Sequence, residues 1–96
     1  MAADREQNYV RALAHQGRRE LLRTVADRER PVSPSELARE YDLECSYASY
    51  HCRVLEEAGM VKFHHMEAVR GASKRFYVAN GAAMQHPLVK GILAAT

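Results

Sequence analysis

The stretch Ser33–Gly59, SPSELAREYDLECSYASYHCRVLEEAG, decides the fold. Ser33 is a good helix N-cap, Pro34 suits the first helical position, and Glu36 stands three residues after the cap. Leu37 and Ala38 then face inward, and Tyr41 continues their stripe. Asp42 to Cys45 make a short break, and a second cap is expected at Cys45–Ser46. Ala48, Cys52 and Leu55 recur at i, i+4 and i+7 as the buried stripe of a second helix centred on residues 46–58. Gly59 stops that helix as a C′ glycine. Two short helices with separate start signals and a tight turn between them form a helix-turn-helix pattern.

The flanks continue in the same logic. Residues 4–15 place Tyr9, Val10, Leu13 and Ala14 on one helical stripe, with Asp4 as a candidate cap. Gly17 ends that segment or marks a corner, and His15 and Gln16 before it read as structural. Residues 18–28 form another helix, with Leu21, Leu22, Val25 and Ala26 inward and Arg18, Arg19, Arg23 and Arg28 outward. Pro31 biases Arg30 toward an extended conformation, and Val32 is a candidate single β-bridge residue. After Gly59 the period changes to two. MVKFHH (60–65) puts Val61 and Phe63 on one face, and KRFYVA (74–79) puts Phe76 and Val78 opposite Arg75 and Tyr77. MEAVRGAS between them reads as a loose hairpin tip with Gly71 in the turn. Residues 81–95 form a final helix or two, with Pro87 opening a stripe of Leu88, Val89, Ile92 and Leu93.

The chain has 96 residues, 47% hydrophobic, with a net charge of +2, enough for one modest core. No apolar run approaches the roughly 20 residues that span a bilayer. The polar MAADREQNY start lacks a signal-peptide apolar region, so a cytoplasmic protein without membrane contact is expected. Cys45 and Cys52 are seven residues apart, about 10.5 Å along a helix. A disulfide needs less than about 7 Å, so two free thiols are expected. Cys52 belongs to the core stripe, and Cys45, near a helix start, is the candidate reactive thiol. His64 and His65 are adjacent on a strand and point to opposite faces, a poor shared metal site. No Ser/His/Asp set, phosphate-cradling glycine loop or carboxylate pair stands out, and Glu56 and Glu57 diverge, so no enzyme is expected.

The order helix, helix, short strand, helix, turn, helix, hairpin, helix is a winged helix-turn-helix arrangement. ALAHQGRRELL (12–22), SPSELAREYDL (33–43) and SYASYHCRVLEEAGMV (46–61) resemble the ArsR-type family of bacterial winged-helix transcriptional regulators. His51, Val54, Leu55, Ala58, Gly59 and Val61 fall in the family's register, with Met60 where a leucine is usual. The resemblance spans about residues 10–79. It implies a mainly α, α+β fold of about five helices and a two- to three-stranded antiparallel wing. One domain over 1–96 would comprise a helix-turn-helix at 33–59, a wing at 60–79 and a C-terminal dimerisation helix at 81–95. Arsenic and lead sensors of the family carry a cysteine pair where this chain has Ser33 and Ser35. Its zinc and nickel sensors use Asp and His pairs on the last helix, where this chain offers His86. Neither metal nor cofactor is expected.

These readings place double-stranded DNA on the 46–58 helix through Ser46, Tyr47, Ser49, Tyr50 and Arg53, whose hydroxyls and guanidinium suit base edges and phosphates. The hairpin adds four basic residues (Lys62, Arg70, Lys74, Arg75) against one acid, Glu67. Arg70, Lys74 and Arg75 would reach the backbone or minor groove. Tyr9, Val10, Leu13, Leu88, Ile92 and Leu93 would form a homodimer interface, and promoter blocking by a dimeric repressor is the simplest mechanism. The alternative is a winged-helix module that docks another protein, which the modest net charge and the acidic Glu56–Glu57 end favour.

Overall fold

The computed structural model describes residues 2–95, with side chains over 4–95; the ends of the expected domain, Met1 and Thr96, lie outside the described residues. The elements are α1 (Ala2–Leu13), α2 (Gln16–Asp27), α3 (Pro34–Tyr41), α4 (Cys45–Glu57), β1 (Val61–Val69), β2 (Ala72–Ala79), α5 (Gly81–Met84) and α6 (Pro87–Ala95). This is the expected α+β winged architecture, with six helices among the described residues and a two-stranded antiparallel hairpin. Val32 adds the expected isolated bridge, pairing with Tyr77 through N···O contacts of 2.9 and 2.8 Å. None of these helices is long and apolar enough to cross a membrane.

Local chemistry explains the central unit. Ser33 accepts a hydrogen bond from the Glu36 backbone N–H at 3.3 Å, with Pro34 opening α3 as the sequence predicts. Because Ser33 is buried, its cap has little water to replace it. Ser33→Ala is expected to cost about 1 kcal/mol, read as a shift in denaturation midpoint at unchanged m-value. The turn after α3 passes through Asp42 at φ 55°, and the Leu43 N–H returns to the Ala38 carbonyl at 2.8 Å. At the far end of α4, Gly59 takes φ 80°. The Met60 N–H reaches the Leu55 carbonyl at 2.9 Å and the Gly59 N–H reaches that of Glu56 at 3.0 Å. That is a Schellman stop, with Leu55 and Met60 both buried beside it.

One apolar cluster draws on α1, α2, Val32, α3, α4, both strands, α5 and α6. It includes Tyr9, Leu13, Leu21, Leu22, Leu37, Cys52, Leu55, Tyr77 and Val89.

Several local expectations change. The first helix begins before Asp4, which lies in its first turn rather than at its cap, and Ala14 is exposed. Gly17 sits inside the first turn of α2 instead of ending a segment. Tyr41 is exposed, its hydroxyl bonded to Thr24. The cap of α4 is Glu44, held extended with no side-chain bond, rather than Cys45–Ser46. The three arginines of α2 are half-buried, and all three serve helix ends. Arg18 donates to the Ala12 carbonyl at 2.7 Å, Arg19 to that of Leu13 at 2.7 Å, and Arg23 to that of Leu93 at 2.7 Å. Cationic donors satisfy the C-terminal carbonyls of α1 and α6 and complement those helix dipoles.

The hairpin departs most from the sequence reading. Its tip is tight: Arg70 and Gly71, at φ 49° and 80°, are the two central residues between Val69 and Ala72, as a type I′ turn requires. Tyr77 points into the core at 4% exposure, whereas Phe76 is half-buried on the opposite face. Phe63 shares Tyr77's face but is 42% exposed, because it lies past the edge of the core. Its ring is covered by the Arg75 guanidinium, 4.3 Å from the ring centroid.

Candidate nucleic-acid interface

Ala48, His51, Cys52 and Leu55 are the buried positions of α4, so the helix turns Ser46, Tyr47, Tyr50 and Arg53 to the exterior. Ser49 is half-buried. The outward face splits into two unequal parts.

Toward the hairpin, Ser49 and Arg53 line a cleft of about 450 Å³ with Ser33, Ser35 and Cys45. Ser73, Lys74 and Arg75 of β2 form the opposite wall, and Glu56 and Tyr77 also contribute. The cleft therefore brings together four of the expected DNA-binding residues: Ser49, Arg53, Lys74 and Arg75. Sequence reasoning missed Ser35 and Ser73 here and assigned Ser33 a cap alone. Ser33 and Ser35 hydroxyls lie 3.1 Å apart at the start of α3. Hydroxyls and cations lining such a cleft can hold phosphate oxygens by charge-assisted bonds.

Arg75 is less available than the sequence suggests. It forms an ion pair with Glu56 at 3.3 Å, and its Nε donates to the Tyr77 hydroxyl at 2.9 Å. Glu56 belongs to α4, so the pair ties the hairpin to the exposed helix. Burial pushes the Tyr77 phenol above its usual range, leaving a neutral oxygen to accept from Arg75. Arg70 sits apart from this cleft, exposed in the turn at the hairpin tip.

On the other side, Tyr47 leans toward α2. A Cβ on Gly17 would lie 2.9 Å from the Tyr47 hydroxyl, so the absence of a side chain there lets the tyrosine pack close to α2. Tyr50 is 53% exposed, beside a shallow depression lined by Asn8, Arg11, Arg18 and Glu57.

The cysteines divide as expected, both free, Cys45 exposed and Cys52 buried. Burial, reinforced by Glu56, pushes the Cys52 thiol up to about 12. A thiol-reactive dye is expected to label one cysteine per native chain promptly and the second only on unfolding; rapid labelling of both in the native state would contradict the burial.

His64 and His65 do not diverge. The strand register shifts between Phe63 and His65, leaving His64 unpaired, and the two Nδ1 atoms come within 2.7 Å. His65 Nε2 also meets Glu67 at 2.8 Å, and its ring stacks on Phe76. Among the described residues, no three His, Cys, Asp or Glu side chains gather as a metal site.

Of the residues expected at a dimer interface, Tyr9 and Leu13 are buried in the chain's own core. Tyr9 packs edge-on against His86, with centroids 5.3 Å apart. Val10 is 47% exposed, and Leu88, Ile92 and Leu93 are half-buried at the same α1–α6 end.

The sequence model of a helix-turn-helix domain family matches residues 13–62, just over half of the chain. The solved structure of reduced HlyU from Vibrio cholerae N16961 is similar, with a TM-score of 0.67 and 20% sequence identity. The match covers 98% of this chain and 86% of that one, and it shows the shared fold. No curated protein matches.

Proposed function

The chain belongs to this helix-turn-helix domain family, and from that premise we propose that it is a sequence-specific, double-stranded DNA-binding transcriptional regulator of ArsR type. The observation that carries the reading is the cleft where Ser49 and Arg53 of α4 face Ser73 and Lys74 of β2 across the start of α3. Helix α4 enters the major groove with Ser46, Tyr47, Tyr50 and Arg53 toward base edges. Ser35, Ser49, Ser73 and Lys74 hold the flanking phosphates, and Arg70 extends the wing along the backbone.

A homodimer suits this reading. Val10, Leu88, Ile92 and Leu93 would pair with a second copy and set two α4 helices about 34 Å apart, one turn of DNA. A dimer on a pseudo-palindrome represses by occupying the promoter. The test is duplex binding in rising salt. Micromolar or tighter binding at low salt is expected, with log affinity falling linearly against log salt. Lys74→Ala is expected to reduce that slope by about 0.9, the contribution of one phosphate. Absence of binding to any duplex at low salt by the folded protein would overturn the proposal.

One observation favours a protein-docking module as the second reading. The hairpin exposes Phe63 and Met66 while Glu56 neutralises Arg75. Association with a partner protein that survives high salt and ignores DNA would establish it.

A further inference from the structure

His51 is the buried polar residue of α4, 3% exposed, and the DNA contacts assigned above leave it unused. It is enclosed by groups from two other segments. His15, in the turn between α1 and α2, lies 4.5 Å away between ring centroids. Arg18 of α2 brings its Nη1 to 3.3 Å from His51 Nδ1. On α4 itself, Tyr47 and Tyr50 stand edge-on to the imidazole at 4.3 and 5.1 Å. Further out, Glu20 lines the depression beside Tyr47, and Arg11 and Glu57 line the one beside Tyr50; all three are exposed.

A guanidinium has donors and no acceptor, so the His51 nitrogen facing Arg18 must carry the lone pair. That fixes His51 as the neutral tautomer with its proton on Nε2. Arg18 is itself anchored on the Ala12 carbonyl at 2.7 Å, so the contact links the end of α1, the start of α2 and the exposed helix. We propose that His51 is a positioning residue for the DNA-reading face: its uncharged imidazole, accepting from Arg18, seats Tyr47 and Tyr50, and its protonation unseats them and weakens DNA binding. This inference rests on the DNA-binding reading above.

Protonation would turn the Nδ1 lone pair into a second donor opposed to the guanidinium, with no acidic group among the immediate neighbours. Burial, and then the charges of His15 and Arg18, hold the His51 pKa below its usual value. A histidine with a lowered folded pKa contributes stability above its unfolded pKa of about 6.5 and loses it as pH falls below that value.

The test compares wild type with His51→Gln, whose amide oxygen can still accept from Arg18 but does not ionise. Both bind a labelled random-sequence duplex in low salt, while circular dichroism monitors folding. At pH about 7.5 the two are expected to bind alike. Between pH about 7.5 and 5.5, wild type is expected to lose up to about fivefold more affinity than the variant, the part of a one-unit pKa difference between free and bound protein that develops over that window. Groups remote from His51 are the same in both proteins, so their pH response cancels in the comparison. Parallel pH profiles would overturn the proposal. Ring resonances of Tyr47 and Tyr50 in the free wild-type protein provide a second readout and are expected to follow the His51 titration. Tyrosine resonances that ignore His51 would overturn the proposal even if the variant fails to fold. If neither protein binds duplex at any pH while the tyrosines still track His51, the DNA reading falls and the positioning role stands.

Discussion

Tyr77→Ala is expected to lower the unfolding free energy by about 3–5 kcal/mol, the range for removing a buried aromatic side chain. Tyr77 is where the hairpin joins the helical body. Its backbone makes both bonds to Val32, and its ring enters the cluster containing Cys52, Leu55 and Val61. Alanine keeps the backbone bonds and deletes the ring. The loss combines apolar transfer with a cavity that the flanking Val32 bridge hinders from closing. The hydroxyl matters less: Arg75, its partner, is substantially exposed, so Tyr77→Phe is expected to cost at most about 1 kcal/mol. Urea denaturation of the three proteins reads the difference. A loss below about 1 kcal/mol in Tyr77→Ala would show that the ring does not anchor the hairpin.

The same residue marks where sequence reading stops. Every signal in Ser33–Gly59 acts within a few residues: Ser33 caps Glu36, the Ala48–Cys52–Leu55 stripe repeats along one helix, and Gly59 supplies φ 80° at the next turn. Those features were legible. The face of β2 was not, because Phe76 and Val78 are more apolar than Tyr77 and Arg75 by composition. Their orientation is set by Val32, dozens of residues upstream, and by the register shift after Phe63. That shift also brings His64 to His65, against simple alternation.

The candidate interface divides along the same line. Ser46, Tyr50 and Arg53 were readable as the outward face of one helix. Ser35 and Ser73 enter the cleft only when α3 and β2 are folded against α4. The roles of Glu56 in restraining Arg75 and of Gly17 in admitting Tyr47 likewise depend on contacts between distant segments. The α2 arginines looked like a solvated basic face; tertiary contacts turn all three to helix-end carbonyls, which concentrates the charge available for DNA on α4 and the hairpin.

Leu55→Ala and Tyr50→Ala are expected to separate folding from recognition on one helix. Leu55 is fully buried between the helices and the hairpin, and it is also the C3 residue of the Schellman stop. Its truncation is expected to cost about 3–5 kcal/mol, the upper part of the range for leucine, because Met60 and Val61 are held by backbone bonds and strand pairing and cannot easily fill the space. A small domain has only about 5–15 kcal/mol of stability, so this variant should melt well below the wild type. Tyr50 sits on the opposite side, its ring half in solvent. Alanine there is expected to change stability by less than about 1 kcal/mol, because it forfeits little beyond an edge contact to His51. Duplex affinity is the quantity this substitution should change, with Tyr50→Ala losing about 0.5–1.5 kcal/mol of binding at full folding, the net worth of one hydrogen bond. Leu55→Ala should bind normally at temperatures where it is folded, since it leaves the outward face intact. Equal destabilisation by the two substitutions would contradict the assignment of faces on α4. Unchanged duplex binding by Tyr50→Ala would remove that residue from the interface and shift the burden of recognition to Ser46 and Arg53.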